Sequence, residues 1–341
     1  MRVLYLSVSL LVVIFFLWKW ETYSQPNQTK ICGLSFVAPP DPFVSNPMSA
    51  IKQVGANWLT FIPYAFSAAG QPEVRFENLH WQWWGERAEG IKECIRLAKA
   101  ADLNIMLKPQ VYIHRSWVGA VEFHSEEEWQ QWEQSYTKYM MLYVDIAKSE
   151  NIAMLCIATE YDKAAIKREA FFRKLIREIR SKYSGKLCYS ANWDHYSKIP
   201  FWDALDYIGI SAYFPLADHK NPNVDSLKLA WIPYLNEMEA FSKKCKKSIL
   251  FSEFGYLSVD GSAGKTWELE KNLESLPINE TSQATAYEAL FSSLWNKSWW
   301  AGGFLWKWFP EGKGHEGFPE KDYTPQGKQA ETVLKYWYDQ K

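Results

Sequence analysis

The sequence predicts a single (β/α)8 barrel, and three observations carry that prediction. From residue 30 onward, eight apolar, β-rich runs alternate with amphipathic helical stretches, the arithmetic of eight β-α units. Several runs (IAMLCIA, YIGISA, SILFS) are apolar throughout, as strands are when helices cover a parallel sheet. The turn after the first run, GLSFVAPPDP, has one glycine and three prolines. It lacks the glycine-rich phosphate cradle that a doubly wound open sheet, the competing architecture, places there.

Taken in order, the strands are expected at Ile31–Val37, Asn57–Tyr64, Asn104–Tyr112, Ile152–Glu160, Lys186–Asn192, Asp206–Ala212, Ser248–Phe254 and Ala301–Trp308. Helical periodicity falls at Pro47–Val54, Gly85–Ala101, Ser125–Ser149, Lys163–Lys182, Ser226–Lys244, Thr281–Ser298 and Gly327–Tyr338, with a short turn at Phe201–Ala204. Ser125 followed by three glutamates is a capping box, because the serine hydroxyl and the third glutamate satisfy each other's backbone N–H. Gly55, Gly185 and the Asp102/Asn104 pair stand where helices should end.

Composition narrows the function. Lys+Arg number 38 and Asp+Glu 39, a net charge of −1, so nothing favours the displacement of counterions that nucleic-acid binding uses. Tryptophan is abundant, 19 of 341 residues, equal to Tyr and to Phe. A core would draw first on Leu, Ile and Val, so some of these rings are expected to face a ligand. Five scattered cysteines form neither a CxxC nor an even framework, which argues against disulfides and zinc. Cys32, Cys156 and Cys188 lie in apolar runs and are expected to be small buried hydrophobes. The histidines His80, His114, His124, His195, His219 and His315 show no HxH or HxxxH spacing, so neither metal nor cofactor is expected.

The N-terminus differs from the rest. Val3 through Trp18 is apolar apart from Ser7 and Ser9, follows Arg2 and lacks a small-x-small cleavage site. Residues 1–20 therefore read as a signal-anchor or export signal, residues 21–30 as a polar tether and residues 31–341 as the catalytic domain. The domain is expected to be monomeric, outside the cytoplasm and joined to a membrane through this segment. Asn27, Asn279 and Asn296 each begin an Asn-x-Ser/Thr sequon.

Barrel active sites lie at the C-terminal ends of the strands. The fourth run ends Cys156-Ile-Ala-Thr-Glu160 and the seventh Leu250-Phe-Ser-Glu253, each with a carboxylate where the chain leaves the apolar interior. Two carboxylates across a barrel mouth suit glycoside hydrolysis. One donates a proton to the leaving oxygen while the other attacks or stabilises the developing oxocarbenium ion. In retaining enzymes the two carboxyl groups lie about 5–5.5 Å apart.

Several segments extend this pattern: Met106-Leu-Lys-Pro-Gln110, Arg115-Ser-Trp117-Val-Gly119, Ile157-Ala-Thr-Glu160, Ser252-Glu253-Phe-Gly255 and Gly302-Gly-Phe-Leu-Trp306. In this order and spacing the chain resembles the retaining glycoside hydrolases of clan A, and within it glycoside hydrolase family 113, the β-mannanases. The resemblance implies that Glu160 is the acid/base, Glu253 the nucleophile, Tyr213 a hydrogen-bond donor to the nucleophile and Trp306 a stacking floor for the cleaved sugar. Asn192, Trp193, Lys108 and His114 are candidate partners for sugar hydroxyls. Two positions depart from the pattern. Thr159 stands where many clan members have the asparagine that binds the 2-hydroxyl, and Gln110 stands where a Lys-Pro-His phrase is expected.

The loop after the second strand reads His80-Trp81-Gln-Trp83-Trp84, beside Asn78. Three indoles within four residues fit no single face of a strand or helix, so Trp81, Trp83 or Trp84 should overhang the mouth and stack sugars, or pin the loop to the barrel. Trp129, Trp132, Trp295, Trp299 and Trp300 have the spacing of core packing. The loop Ser258–Lys265 lacks a phosphate-binding motif. The expected activity is retaining hydrolysis of a β-linked polysaccharide, most readily β-1,4-mannan, with the polysaccharide or its oligosaccharides as partner. An exo-mannosidase, a glucanase or xylanase, and a catalytically silent carbohydrate-binding barrel are the alternatives.

Overall fold

The computed structural model describes residues 29–76, 79, 81–217, 219–311 and 317–341. The N-terminal apolar segment, most of the tether, Asn78 and His80 lie outside the described residues. Among the described residues, no helix is long and apolar enough to cross a membrane.

The strands are β1 (Ile31–Phe36), β2 (Trp58–Phe61), β3 (Tyr64–Ser67), β4 (Asn104–Leu107), β5 (Gln110–Ile113), β6 (Met154–Thr159), β7 (Lys186–Asn192), β8 (Ile208–Ser211), β9 (Ile249–Phe254) and β10 (Trp300–Trp308). Eight of them close a parallel barrel in the order β1-β10-β9-β8-β7-β6-β4-β2, while β3 and β5 pair separately. The helices are α1 (Met48–Gln53), α2 (Ala88–Ala100), α3 (Glu126–Ser149), α4 (Asp162–Lys167), α5 (Glu169–Lys182), α6 (Val224–Cys245), α7 (Thr266–Leu269), α8 (Glu280–Leu294) and α9 (Gln329–Tyr338).

Two expected strands are each split by a proline. Asn57–Tyr64 divides at Pro63 and Asn104–Tyr112 divides at Pro109, because proline contributes no ladder N–H. The pairing register survives the break: Phe61 faces Leu107 below it and Tyr64 faces Gln110 above. The carbonyls of Pro63 and Gln110 are both met by the Tyr139 hydroxyl of α3, at 2.7 and 3.0 Å. The result is a two-stranded ledge standing above the barrel rim. Its buried residues Ala65, Val111 and Ile113 alternate with Tyr64, Phe66, Gln110 and Tyr112, which remain partly or largely accessible.

The expected fourth long helix, Lys163–Lys182, is two helices meeting at Arg168. The Arg168 guanidinium is held by Glu126 and Glu133 of α3 and lies over the Trp129 ring, so side-chain anchoring accompanies a break that no proline or glycine announces. The Ser125 capping box forms as expected, and Asn223 and Asn279 cap α6 and α8. The helix α7 was not anticipated by the sequence pattern.

Ile31, Met106, Met154, Cys156, Cys188, Leu250 and Phe304 form one buried interior cluster, which Gly33 helps to make possible. A Cβ on Gly33 would stand 2.3 Å from the Phe304 ring, so the position opposite that ring admits no side chain. The larger apolar layer lies between strands and helices and contains Trp129, Trp132, Trp299 and Trp300, with Trp295 packed against it. All five cysteines are free, and Cys32, Cys156 and Cys188 are buried as expected.

Candidate active site

Glu160 follows the last residue of β6, and Glu253 lies near the end of β9, so two strands of one closed barrel carry both carboxylates to the mouth. Glu160 adopts a left-handed backbone, φ +57°, which costs a residue with a Cβ on the order of 1 kcal/mol or more. The turn is held by Glu160 N–H donating to the Ser190 carbonyl at 2.7 Å and Asp162 N–H donating to the Glu160 carbonyl at 2.8 Å. Below it, the hydroxyls of Ser211, Ser190 and Ser252 form a buried chain across β8, β7 and β9, with spacings of 3.0 and 2.7 Å.

The two carboxyl groups have different surroundings. Glu253 accepts from three side chains: the Lys108 ammonium and the Gln110 amide (3.0 Å) reach Oε1, and the Tyr213 phenol (3.0 Å) reaches Oε2. Burial and the neighbouring Glu253 charge push the Tyr213 phenol well up, so it keeps its proton and remains a donor. Glu160 accepts from the Trp117 indole N–H at 3.1 Å, and the Ser211 hydroxyl also bonds to it. Burial first, and the Glu253 charge second, push the Glu160 carboxyl up to about 7.

Three cavities meet at Trp306, the residue expected to form the sugar floor. One of about 390 Å³ is lined by Tyr64, Phe66, Trp83, Tyr112 and Trp306 and contains neither glutamate. One of about 210 Å³ holds both carboxylates, with Tyr112 and Trp117. One of about 680 Å³ also holds both, and continues past Asn192, Trp193, Tyr213 and Tyr323 to Trp267.

Other expected positions fall in different places. Trp83 lines the aromatic cavity. Trp81 is 51% exposed, with its ring 4.4 Å from Phe66 beside the ledge. Trp84 packs edge-on against Phe43 at the start of the turn leading into α2 and lines none of the three cavities. Lys108 is fully buried and paired with Glu253. His114 is exposed in the turn after β5 and borders none of the three cavities. Thr159 lines the cavity of about 210 Å³, but its hydroxyl oxygen is buried without a hydrogen-bond partner. Asn192 donates to Asp162 at 3.2 Å while lining the cavity of about 680 Å³.

Gln110 and Trp117 stand in sequence segments that give their side chains no catalytic role, and Trp267 carries no sequence motif. Lys108 and Gln110 flank Pro109, where the strand breaks, and both reach the same oxygen of Glu253; this convergence, like the reach of the Trp117 indole to Glu160, has no signature in the sequence. Asp162, Asp194 and His195 bring potential metal-binding atoms within 4.8 Å of one another, a group that histidine spacing does not reveal. Their contacts are those of an imidazole between two carboxylates, with His195 Nδ1 3.3 Å from Asp162 and 2.9 Å from Asp194.

A closed (β/α)8 barrel with two glutamates at the strand ends and an aromatic-lined mouth has the architecture of a glycoside hydrolase, and the comparisons with known proteins agree. The chain matches the description Glycoside Hydrolase Family 113 over residues 41–328, and it belongs to that family. Among solved structures it is similar to a GH113 β-1,4-mannanase complex, with 27% identity, TM-score 0.77 and coverage of 92% of this chain and 99% of that one. It is also similar to the GH113 β-mannanase AaManA from Alicyclobacillus acidocaldarius in complex with ManMIm (27% identity, TM-score 0.78, coverage 91% and 97%). A β-glucuronidase from Ruminococcus gnavus, 14% identical with TM-score 0.60 over 92% of this chain and 50% of its own, shares the fold. No curated protein matches the chain.

Proposed function

We propose that this glycoside hydrolase is a retaining endo-β-mannanase, with Glu253 as nucleophile and Glu160 as acid/base. The observation that carries the assignment is the asymmetry of the two carboxyl groups. Glu253 accepts three hydrogen bonds, including one from a buried ammonium, which hold its two oxygens in one orientation for attack. Glu160 is pushed up to about 7 and so retains a proton to give.

In the first step a Glu253 oxygen bonds to the anomeric carbon. The glycosidic C–O bond breaks and the Glu160 proton passes to the departing oxygen. In the second step the Glu160 carboxylate takes a proton from water, the water oxygen bonds to the same carbon, and Glu253 is released. Two inversions give net retention. Tyr213 and Gln110 hold the nucleophile's rotamer, and Trp306 offers broad apolar area to the C–H face of a pyranose.

Support for β-1,4-mannan comes from the similar proteins described as β-1,4-mannanases and from an uncharged, ring-shaped substrate suiting an aromatic cleft in a chain of net charge −1. Endo action is supported by two cavities that share Trp306 as a wall, one aromatic and one reaching Trp267, which together give room for several sugar units. We further propose export, with residues 1–20 acting as signal or anchor and the domain working as a monomer.

The test is incubation with β-linked mannan, glucan and xylan, following product length and anomer by NMR. Internal cleavage of mannan with first-formed β-anomers is expected, and Glu160→Ala and Glu253→Ala should each abolish it while remaining folded. An α-anomeric first product, or full activity in either variant, overturns the assignment.

A further inference from the structure

The cavity of about 680 Å³ ends on a feature that the chemistry at the two glutamates does not use. Trp267, on the short helix α7, is 37% exposed and stacks on Trp193, with ring centroids 6.1 Å apart and planes at 17°. Trp193 itself is pinned by Phe214 at 5.7 Å and by Tyr234, edge-on, at 6.2 Å. The Tyr234 hydroxyl is in turn tied to the Pro215 carbonyl at 3.2 Å. Both indoles therefore sit on a rigid base, and both line the same cavity wall. An exposed, pre-positioned indole at a concave mouth presents apolar area with little conformational entropy left to lose.

The side of the reaction on which this platform lies follows from the acid. Glu160 must reach the departing oxygen, so the departing part of the substrate leaves from the space that Glu160 borders. Glu160 borders the cavity of about 210 Å³ and the Trp193–Trp267 cavity, of which the second is the larger and carries the exposed indole, whereas the aromatic cavity lined by Trp83 contains neither of the two strand-end glutamates. Asn192, Asp194, Glu270 and Lys271 stand around the same wall, supplying donors and acceptors for hydroxyl groups around an apolar floor.

We propose that the Trp193–Trp267 stack is a binding site for a pyranose of the departing chain, so that Trp267 selects substrates carrying sugar on the leaving-group side. The proposal rests on the retaining β-mannanase reading and adds to it the location of leaving-chain recognition. The segment bearing Trp267 also carries Glu270, which accepts a 2.7 Å bond from the Tyr323 hydroxyl, and the Tyr323 ring lies 6.0 Å from that of Tyr213, the donor to Glu253. A structural fault in α7 would therefore disturb the nucleophile, and the experiment has to separate that from lost binding.

The test compares wild type with Trp267→Ala and Trp267→Phe on two substrates. One is a β-1,4-manno-oligosaccharide, whose leaving group is sugar; the other is β-mannobiosyl fluoride, whose leaving group fills no site. For Trp267→Ala, kcat/KM on the oligosaccharide should fall about tenfold or more, mainly through KM, with the fluoride rate unchanged. Trp267→Phe should recover much of the loss. Equal loss on both substrates makes the residue structural, and no loss on either removes it from recognition; both results overturn the proposal. A wild-type protein that turns over neither substrate overturns the mannanase reading instead, an outcome that is read before any variant is compared.

Discussion

The Lys108 ammonium and the Glu253 carboxylate form an ion pair at the base of the mouth, with Lys108 wholly enclosed and Glu253 only 7% exposed. Each charge is stable there because the other is present. Lys108→Met is therefore expected to cost about 3–5 kcal/mol of stability, since a buried charge loses its partner. Hydrolytic activity should fall with it. Denaturant unfolding beside steady-state kinetics checks both, and a variant as stable and as active as wild type would show that the pair contributes neither.

The protonated Glu160 sets the alkaline side of the pH profile. With its carboxyl at about 7, kcat/KM should decline as pH rises through about 7, because the acid form disappears. The Trp117 N–H bond favours the ionised form, so Trp117→Phe, which keeps a ring and loses the donor, should move that decline to higher pH. Gly119→Ala should act in the same direction, since its Cβ would lie 2.2 Å from the Trp117 ring and displace the indole. Profiles for the three proteins suffice, and an alkaline limb that stays in place removes Trp117 from control of the acid.

The same raised carboxyl affects stability. A glutamate near 4.5 when unfolded and about 7 when folded stabilises the native state while protonated, and that benefit is lost as pH rises from about 4.5 through 7. Glu160→Gln cannot ionise. Relative to wild type it should gain stability across this window, by on the order of 3 kcal/mol above pH 7, with no such pH-dependent gain below pH 4. Thermal melts of both proteins at pH 4 and pH 8 measure it, and a pH-independent difference contradicts the burial argument.

Trp81 and Trp84 should separate by function. Trp81→Ala is expected to weaken affinity for longer oligosaccharides with little change in Tm, because its ring is half exposed beside Phe66. Trp84→Ala should lower Tm through the lost contact with Phe43 and leave oligosaccharide affinity intact. Calorimetric binding to Glu160→Gln backgrounds, paired with melts, distinguishes the two, and reversed behaviour would place Trp84 at the substrate.

Much of this was legible along the chain. The runs ending in Glu160 and Glu253 are continuous in sequence, so their apolar pattern and terminal carboxylates reveal both the barrel strands and the ends that meet at its mouth. Tyr213 was placed by the family resemblance, and its bond to Glu253 is present. The break at Arg168 was not legible, because its anchors Glu126 and Glu133 lie more than thirty residues away.

Periodicity and strand-end position, which are local properties, determined the barrel, the two candidate catalytic glutamates and the buried fate of Trp129 and Trp132. Only tertiary structure decided that Lys108 and Gln110 converge on one oxygen of Glu253, that Trp117 reaches Glu160, and that Trp193 supports Trp267. The physical reason is that hydrogen bonds and ring stacking act over a few ångströms between loops distant in sequence, and closure of the barrel is what brings those loops within range.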